Sequence, residues 1–107
     1  MPRLSPRLFE PIQVGGLTVP HRLWVAPMCQ YSSIDGMPAE WHLVHLGSFA
    51  IGRAGLVMTE AAAVSPIGRI TPDDAGIWND DHTAGWRRVV DFVHGMDSLI
   101  GIQLSHA

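Results

Sequence analysis

The run "AGLVMTEAAAV", Ala54 to Val64, constrains the fold more than any other stretch of this chain. It is almost unbroken in apolar and small residues, and Thr59 and Glu60 are its only polar interruptions. A strand with one wet face alternates apolar and polar residues. A continuous apolar run belongs instead to a parallel strand covered on both faces. Parallel neighbours need a crossover between them, usually a helix. The flanking sequence supplies two. Leu43, Leu46, Phe49 and Ala50 recur at helical spacing and predict a helix over about residues 38–53, with Pro38 at its first position and Gly52 and Gly55 at its end. Trp86, Val89, Val90 and Val93 predict a second helix over about residues 81–94, capped by Asn79 or Asp80.

"RLWVAPM" before the first helix and "LIGIQLSHA" after the second read as further apolar strands. Pro27 stops the first, because proline has no N–H to donate to a ladder. "IQVGGLTV" reads as a hairpin around Gly15-Gly16, where glycine supplies the positive φ of a tight turn. Residues 1–11, with three prolines, read as an extended arm. The order hairpin, β, α, β, α, β predicts an α/β fold with a parallel sheet and right-handed crossovers. "SPIGRITPDDAGIWNDD" exceeds an ordinary connection, and loops of that length are often functional.

Composition narrows the function classes. A chain of 107 residues, 47% hydrophobic and 16% charged, is one globular domain or part of one. A net charge of −3 with no basic patch argues against nucleic-acid binding. No apolar run approaches the ~18 residues of a membrane span. The N-terminus lacks the apolar segment of a secretory signal, so the expected location is cytoplasmic. The single cysteine, Cys29, forms no internal disulfide and suits a reducing compartment. It is either a buried small residue or a reactive thiol, and a thiol redox sensor is one role for the latter.

Three clusters follow strands directly: Pro27-Met28-Cys29-Gln30-Tyr31, then Glu60-Ala61-Ala62, then Gln103-Leu104-Ser105-His106. In parallel α/β folds, ligands gather at the carboxyl ends of strands, where backbone groups are free and side chains converge. A glutamine offers a donor and an acceptor side by side, which matches the edge of a planar amide-like ring. Tyrosine adds an acidic O–H and cysteine a polarizable sulfur. These residues together describe a cleft for a planar heterocycle. His42 and His45 share one helix face and raise a metal reading. No third ligand follows at a convincing spacing, which favours a packing or surface role. Glu60 is either a general base or a structural hydrogen-bonding residue. Trp41, Trp78 and Trp86 are expected to pack between helices and sheet, and Asp80, Asp81 and His82 read as a helix start.

The stretches "VAPMCQYSSIDGMPAEWHLVHLGSFAIGRAGLVMTEAAAVSPIGRITPDDAGIW" and "IGIQLSHA" resemble the N-terminal part of the old yellow enzyme family of flavoproteins. The closest likeness is to the bacterial branch that carries a cysteine in its first strand-end motif. The resemblance implies a (β/α)8 TIM barrel with FMN at its C-terminal face. It implies reduction of the C=C of α,β-unsaturated carbonyls by hydride from the flavin, with NADPH or NADH as reductant. Ala26, Pro27, Met28 and Cys29 would line the FMN, largely through backbone groups. Cys29 would tune the flavin and Tyr31 would face the substrate pocket. Ala61 would contact the ring system and Gln103 would hydrogen-bond its pyrimidine edge. No metal is implied. The full enzyme would be a homo-oligomer acting on a small enone, with neither nucleic acid nor membrane as partner.

A barrel of this type needs ~200 residues or more. Residues 1–107 are therefore expected to be the N-terminal portion of a single FMN-binding barrel domain, comprising the hairpin and three βα-type strands. His106 belongs to a motif that continues in the family with Gly-Arg. The family's carbonyl-binding pair, its usual proton donor and the basic residues for flavin ring and phosphate would lie further on. The isolated chain is accordingly expected to be inactive. The alternative is a non-catalytic half-barrel that associates with a complementary chain or with itself through unpaired strand edges.

Overall fold

The computed structural model describes residues 6–107, so the first five residues of the predicted arm lie outside the described residues. The rest of the arm is not simply extended. Arg7–Phe9 form one 3-10 turn, with the Glu10 N–H on the Arg7 carbonyl at 3.0 Å. Strands β1 (Ile12–Val14) and β2 (Leu17–Val19) then pair antiparallel, with Val14 opposite Leu17. The predicted hairpin is present, and of its two glycines only Gly15 adopts positive φ, at 57°.

The remaining elements are α1 (Glu40–Ile51), β3 (Val57–Ala63), a second 3-10 turn at Pro66–Gly68, α2 (Asp80–Gly95) and β4 (Ile100–Ser105). Strands β3 and β4 are parallel. The segment predicted as the first barrel strand, residues 22–28, makes only one parallel bridge, Val25 to Val57. The Gly55 N–H reaches the Leu23 carbonyl at 2.9 Å, the Val25 N–H reaches Leu56 at 2.9 Å, and the Met58 N–H reaches Val25 at 3.1 Å. Pairing halts there because Pro27 cannot donate and because β3 shifts register after Met58. Three parallel segments thus lie side by side in chain order, with β3 in the middle.

Both helices cover one face of this sheet. Leu46 and Ala50 of α1, Val57 and Ala62 of β3, and Trp86, Val89 and Val93 of α2 form one buried cluster. Each large apolar side chain buried this way contributes roughly 1.5–3 kcal/mol. The opposite face differs from the expectation of two covered faces. Met58 and Ala61 are only half-buried there, and Gln103 is exposed. Three segments provide no opposing strands to close over that side.

Helix ends also depart from the sequence reading. Pro38 lies outside α1, because Ala39 is extended (φ −107°) and serves as the cap residue. At the other end Gly52 has φ −73°, and the left-handed position falls on Arg53, at φ 65°. The Ala54 N–H closes on the Phe49 carbonyl at 3.2 Å, completing a Schellman-type end. Helix α2 ends alike, with Asp97 at φ 56° and the Ser98 N–H on Val93 at 3.2 Å. Its start agrees with expectation: the Asn79 side chain accepts from the His82 N–H at 2.8 Å. Trp86 is buried and donates through Nε1 to the Gly76 carbonyl at 2.8 Å. Trp41 does not pack as expected. It is 47% exposed at the outer start of α1 and donates to Gln30 Oε1 at 2.9 Å.

Arg53→Gly should raise stability by about 0.5–1 kcal/mol, because glycine takes positive φ without steric cost. Trp86→Phe should lower it by about 1–3 kcal/mol, since the buried Gly76 carbonyl loses its donor. Urea unfolding midpoints check both, and a destabilised Arg53→Gly would refute the strain argument.

Candidate functional site

The carboxyl ends of the three parallel segments place most of the predicted residues on one rim. Beyond Val25 the chain crosses this rim as residues 26–31. Ala26, Met28 and Tyr31 are exposed, while Pro27 and Cys29 are half-buried. Gln30 ties the segment down: its Nε2 donates to the Met28 carbonyl at 2.9 Å while its Oε1 holds Trp41. Tyr31 adopts φ 51°, an uncommon conformation for a bulky residue and one that recurs at functional sites. A tight turn follows, with Asp35 at φ 52°, Gly36 at φ 75° and the Met37 N–H on Ile34 at 3.0 Å. This Asp-Gly pair has the positive φ values of a type I′ turn.

Ala61 and Gln103 stand opposite each other in the β3–β4 register. The Gln103 backbone N–H is held by Thr59 Oγ1 at 3.3 Å. The Gln103 side-chain amide is exposed, with no hydrogen-bond partner among the described residues. A methyl group beside an open amide is a surface that a flat polar heterocycle can approach closely.

The long loop, residues 65–79, is a wall and not a loose connection. The Ser33 N–H donates to Asp73 at 2.9 Å and the Gly76 N–H to Gly36 at 2.8 Å. His82 Nδ1 accepts from the Trp78 N–H at 3.2 Å, so Nε2 carries the proton that meets the Asp35 carbonyl at 2.8 Å. A Cβ on Gly36 would come within 2.5 Å of Trp78, and one on Gly76 within 2.2 Å, so both positions need glycine. Asp74 is buried and accepts from the Ile70 N–H at 2.6 Å and Thr71 Oγ1 at 2.9 Å. At the end of β4, His106 Nδ1 lies 3.4 Å from Ser65 Oγ.

Behind the rim, Glu60 and His42 are both buried, with His42 Nε2 3.2 Å from Glu60 Oε2. His42 Nδ1 accepts from the Ala39 N–H at 2.8 Å, which leaves Nε2–H to donate to the carboxyl. Ser33 Oγ lies 3.5 Å from the same nitrogen. His42 is therefore a packing residue, and Glu60 is held as a hydrogen-bonding partner. His45 stacks on Trp41 with centroids 5.7 Å apart, and burial lowers its pKa. Among the described residues, no three His, Cys, Asp or Glu side chains gather into a metal site.

The Tyr31 phenol is pushed above its ordinary 10.0, chiefly by the negative charge of Cys29 once ionised, then by desolvation and by Asp74. Tyr31 and Cys29 are thus neighbours, and Asp74 and Glu60 lie within electrostatic reach. The sequence alone does not mark Asp74, His82 or Ser33 as site residues. The spacing Thr71-x-x-Asp74 signals a local hydroxyl–carboxyl turn, and His82 follows a cap residue by three, but neither spacing says which loop it meets.

The chain matches the NADH:flavin oxidoreductase / NADH oxidase family over residues 7–107. It belongs to that family, the old yellow enzyme family. Its members use FMN with NADH or NADPH. The chain is 48% identical over 103 residues to an NADH:flavin oxidoreductase of Gibberella zeae, covering 96% of this chain and 25% of that protein. It is 44% identical over 106 residues to the NADPH dehydrogenase of Bacillus subtilis, covering 97% of this chain and 31% of that one. Among solved structures, morphinone reductase in complex with tetrahydroNAD superposes with a TM-score of 0.86 at 36% identity, over 95% of this chain and 28% of that one. The old yellow enzyme homologue of Zymomonas mobilis gives 0.82 at 34% identity, over 94% and 28%. The chain thus spans about a quarter to a third of these relatives. The likeness is consistent with a partial barrel.

Tyr31 is the sole tyrosine, so ultraviolet difference titration reads it directly. Its midpoint should lie above 10.0 and move back toward 10.0 in Cys29→Ala. A raised folded value means its stability contribution is present below pH 10.0 and disappears as pH climbs through the folded value. An unchanged midpoint in Cys29→Ala would contradict the assigned cause.

Proposed function

We propose that this chain is the N-terminal part of an FMN-dependent ene-reductase, which passes hydride from NADPH or NADH through FMN to the C=C of an α,β-unsaturated carbonyl. One observation supports the reading most directly: the open Gln103 amide stands beside Ala61 on the rim that residues 26–31 cross. The fit to FMN is good on the chain's own chemistry. Gln103 can donate to and accept from one edge of a flat ring, and Ala61 leaves room for the ring to lie close. The rim segment Ala26, Pro27, Met28 and Cys29 would hold it, largely by backbone groups. FMN, when bound, supplies the hydride chemistry. Tyr31 offers a phenol that stays protonated at neutral pH, so it can donate a hydrogen bond to a substrate. Cys29, beside it, sets the polarity of that wall. The pinned loops from Ser33 to Gly36 and from Asp73 to Gly76 keep the wall in place.

The 107-residue chain alone should bind FMN weakly and turn over nothing, because only three parallel segments surround the site. A hybrid in which residues 7–107 replace the matching segment of the Bacillus subtilis NADPH dehydrogenase should bind FMN. Its flavin colour should bleach with NADPH and return with cyclohexenone. A hybrid that folds without taking up flavin would sink the proposal, as would turnover by the isolated chain.

A second reading, association of half-barrels, is favoured by the outer edge of β4, which has no strand partner among the described residues and leaves Leu104 64% exposed. The full enzyme's homo-oligomeric state is part of the main proposal. Elution of the 107-residue chain as a monomer at low micromolar concentration would remove the second reading. No helix among the described residues is long and apolar enough to cross a membrane. With its single free thiol at Cys29, the protein is proposed to reside in the cytoplasm.

A further inference from the structure

Strand β3 carries one residue more than β4 between two matched positions. Met58 stands opposite Gly101, yet Ala61 stands opposite Gln103. Side chains alternate faces along a strand, so Ala61, three residues after Met58, would ordinarily point to the helix side. Gln103, two residues after Gly101, keeps the open side. The extra residue on β3 is a β-bulge, and a one-residue slip turns every later side chain to the other face. The bulge alone therefore brings Ala61 to the face of Gln103.

Side chains hold this bulge where the ladder cannot. Thr59 Oγ1 accepts from the Gln103 N–H at 3.3 Å and donates to the Glu60 carbonyl at 2.8 Å. One hydroxyl thus uses its single proton and one lone pair to bridge the irregularity. The bulge also turns the Glu60 carboxyl into the buried space beneath α1, where His42 Nε2 meets it at 3.2 Å. His42 is anchored in turn by the Ala39 N–H at 2.8 Å.

We infer that Thr59, backed by the Glu60–His42 contact, is a positioning residue that sets the face and register of the Ala61–Gln103 pair and thereby the geometry of the flavin edge. The second half of that statement rests on the proposed function. The first half stands on the strand register and the Thr59 hydrogen bonds and is testable without flavin.

The experiment compares the chain with Thr59→Val and Thr59→Ser by amide hydrogen exchange and, in the hybrid enzyme, by flavin binding. Valine keeps the shape and removes the oxygen, and serine restores it. Thr59→Val should speed exchange at the Gln103 amide at least tenfold while leaving the Val57 amide, bonded to the Leu99 carbonyl at 2.9 Å, within twofold. Thr59→Ser should restore protection. In the hybrid, Thr59→Val should weaken FMN binding about tenfold and shift the flavin absorption bands, and Thr59→Ser should recover both. A general loss of stability would speed exchange at both amides and leave the bands of the bound flavin unmoved, which overturns the inference. Unchanged Gln103 exchange in Thr59→Val overturns it as well. A hybrid that takes up no flavin with Thr59 intact counts against the proposed function, and the exchange comparison then decides the positioning role by itself.

Discussion

The contact between His42 and Glu60 is the interaction on which the rim depends. A carboxyl group buried behind a strand must be hydrogen-bonded, and leaving one without its partner costs about 3–5 kcal/mol. That cost ties the first turn of α1 to the irregular stretch of β3, because His42 meets Glu60 at 3.2 Å with Nε2 while its other nitrogen is committed to the Ala39 N–H. The exposed pair of Arg88 with Glu40 joins α2 to α1 instead and sits in water, where such pairs contribute little. The buried contact therefore decides how helix and strand register, and the surface pair adds only local support.

Around this contact the loops form a closed set of bonds. Residues 31–36 and residues 73–76 are linked by two backbone bonds, and His82 at the start of α2 pins the first loop through the Asp35 carbonyl. Two glycines, Gly36 and Gly76, allow Trp78 to lie against both loops. Strand ends carry the chemical groups, and the helix starts hold the loops that position them. His42 and His82 do this in the same way, each at the third residue of its helix, with Nδ1 accepting a backbone N–H and Nε2 facing a distant oxygen.

Much of this was legible in the sequence. The apolar run at Ala54 to Val64 and the helical spacings on either side named the elements and their order, because periodicity reflects which faces are buried. The Gly15 turn and the Asn79 cap followed from local chemistry, whereas Glu60-Ala61-Ala62 and Gln103-Leu104-Ser105, expected just beyond their strands, lie within the C-terminal halves of β3 and β4, because the parallel ladder continues through them. Local chemistry failed where a neighbour decided. Residues 22–28 look like a strand but form one bridge, since Pro27 and the β3 shift end the pairing together. Gly52 looks like a helix stop, yet Arg53 takes the left-handed position. Trp41 looks like a core residue, yet it lies half in solvent holding Gln30.

Element order, parallel pairing and the residue types on the rim are written in the chain's local pattern, because they follow from hydrophobic period and from the few side chains able to recognise a planar ring. The face that Ala61 presents, the nitrogen of His42 that carries its proton, and the fixing of the long loop as a wall arise only in the folded molecule. Each of those depends on a partner far away in the chain: Gln103 for Thr59, Glu60 for His42, Gly36 for Gly76. A local pattern states what a residue can bond, and the fold alone states what stands opposite it.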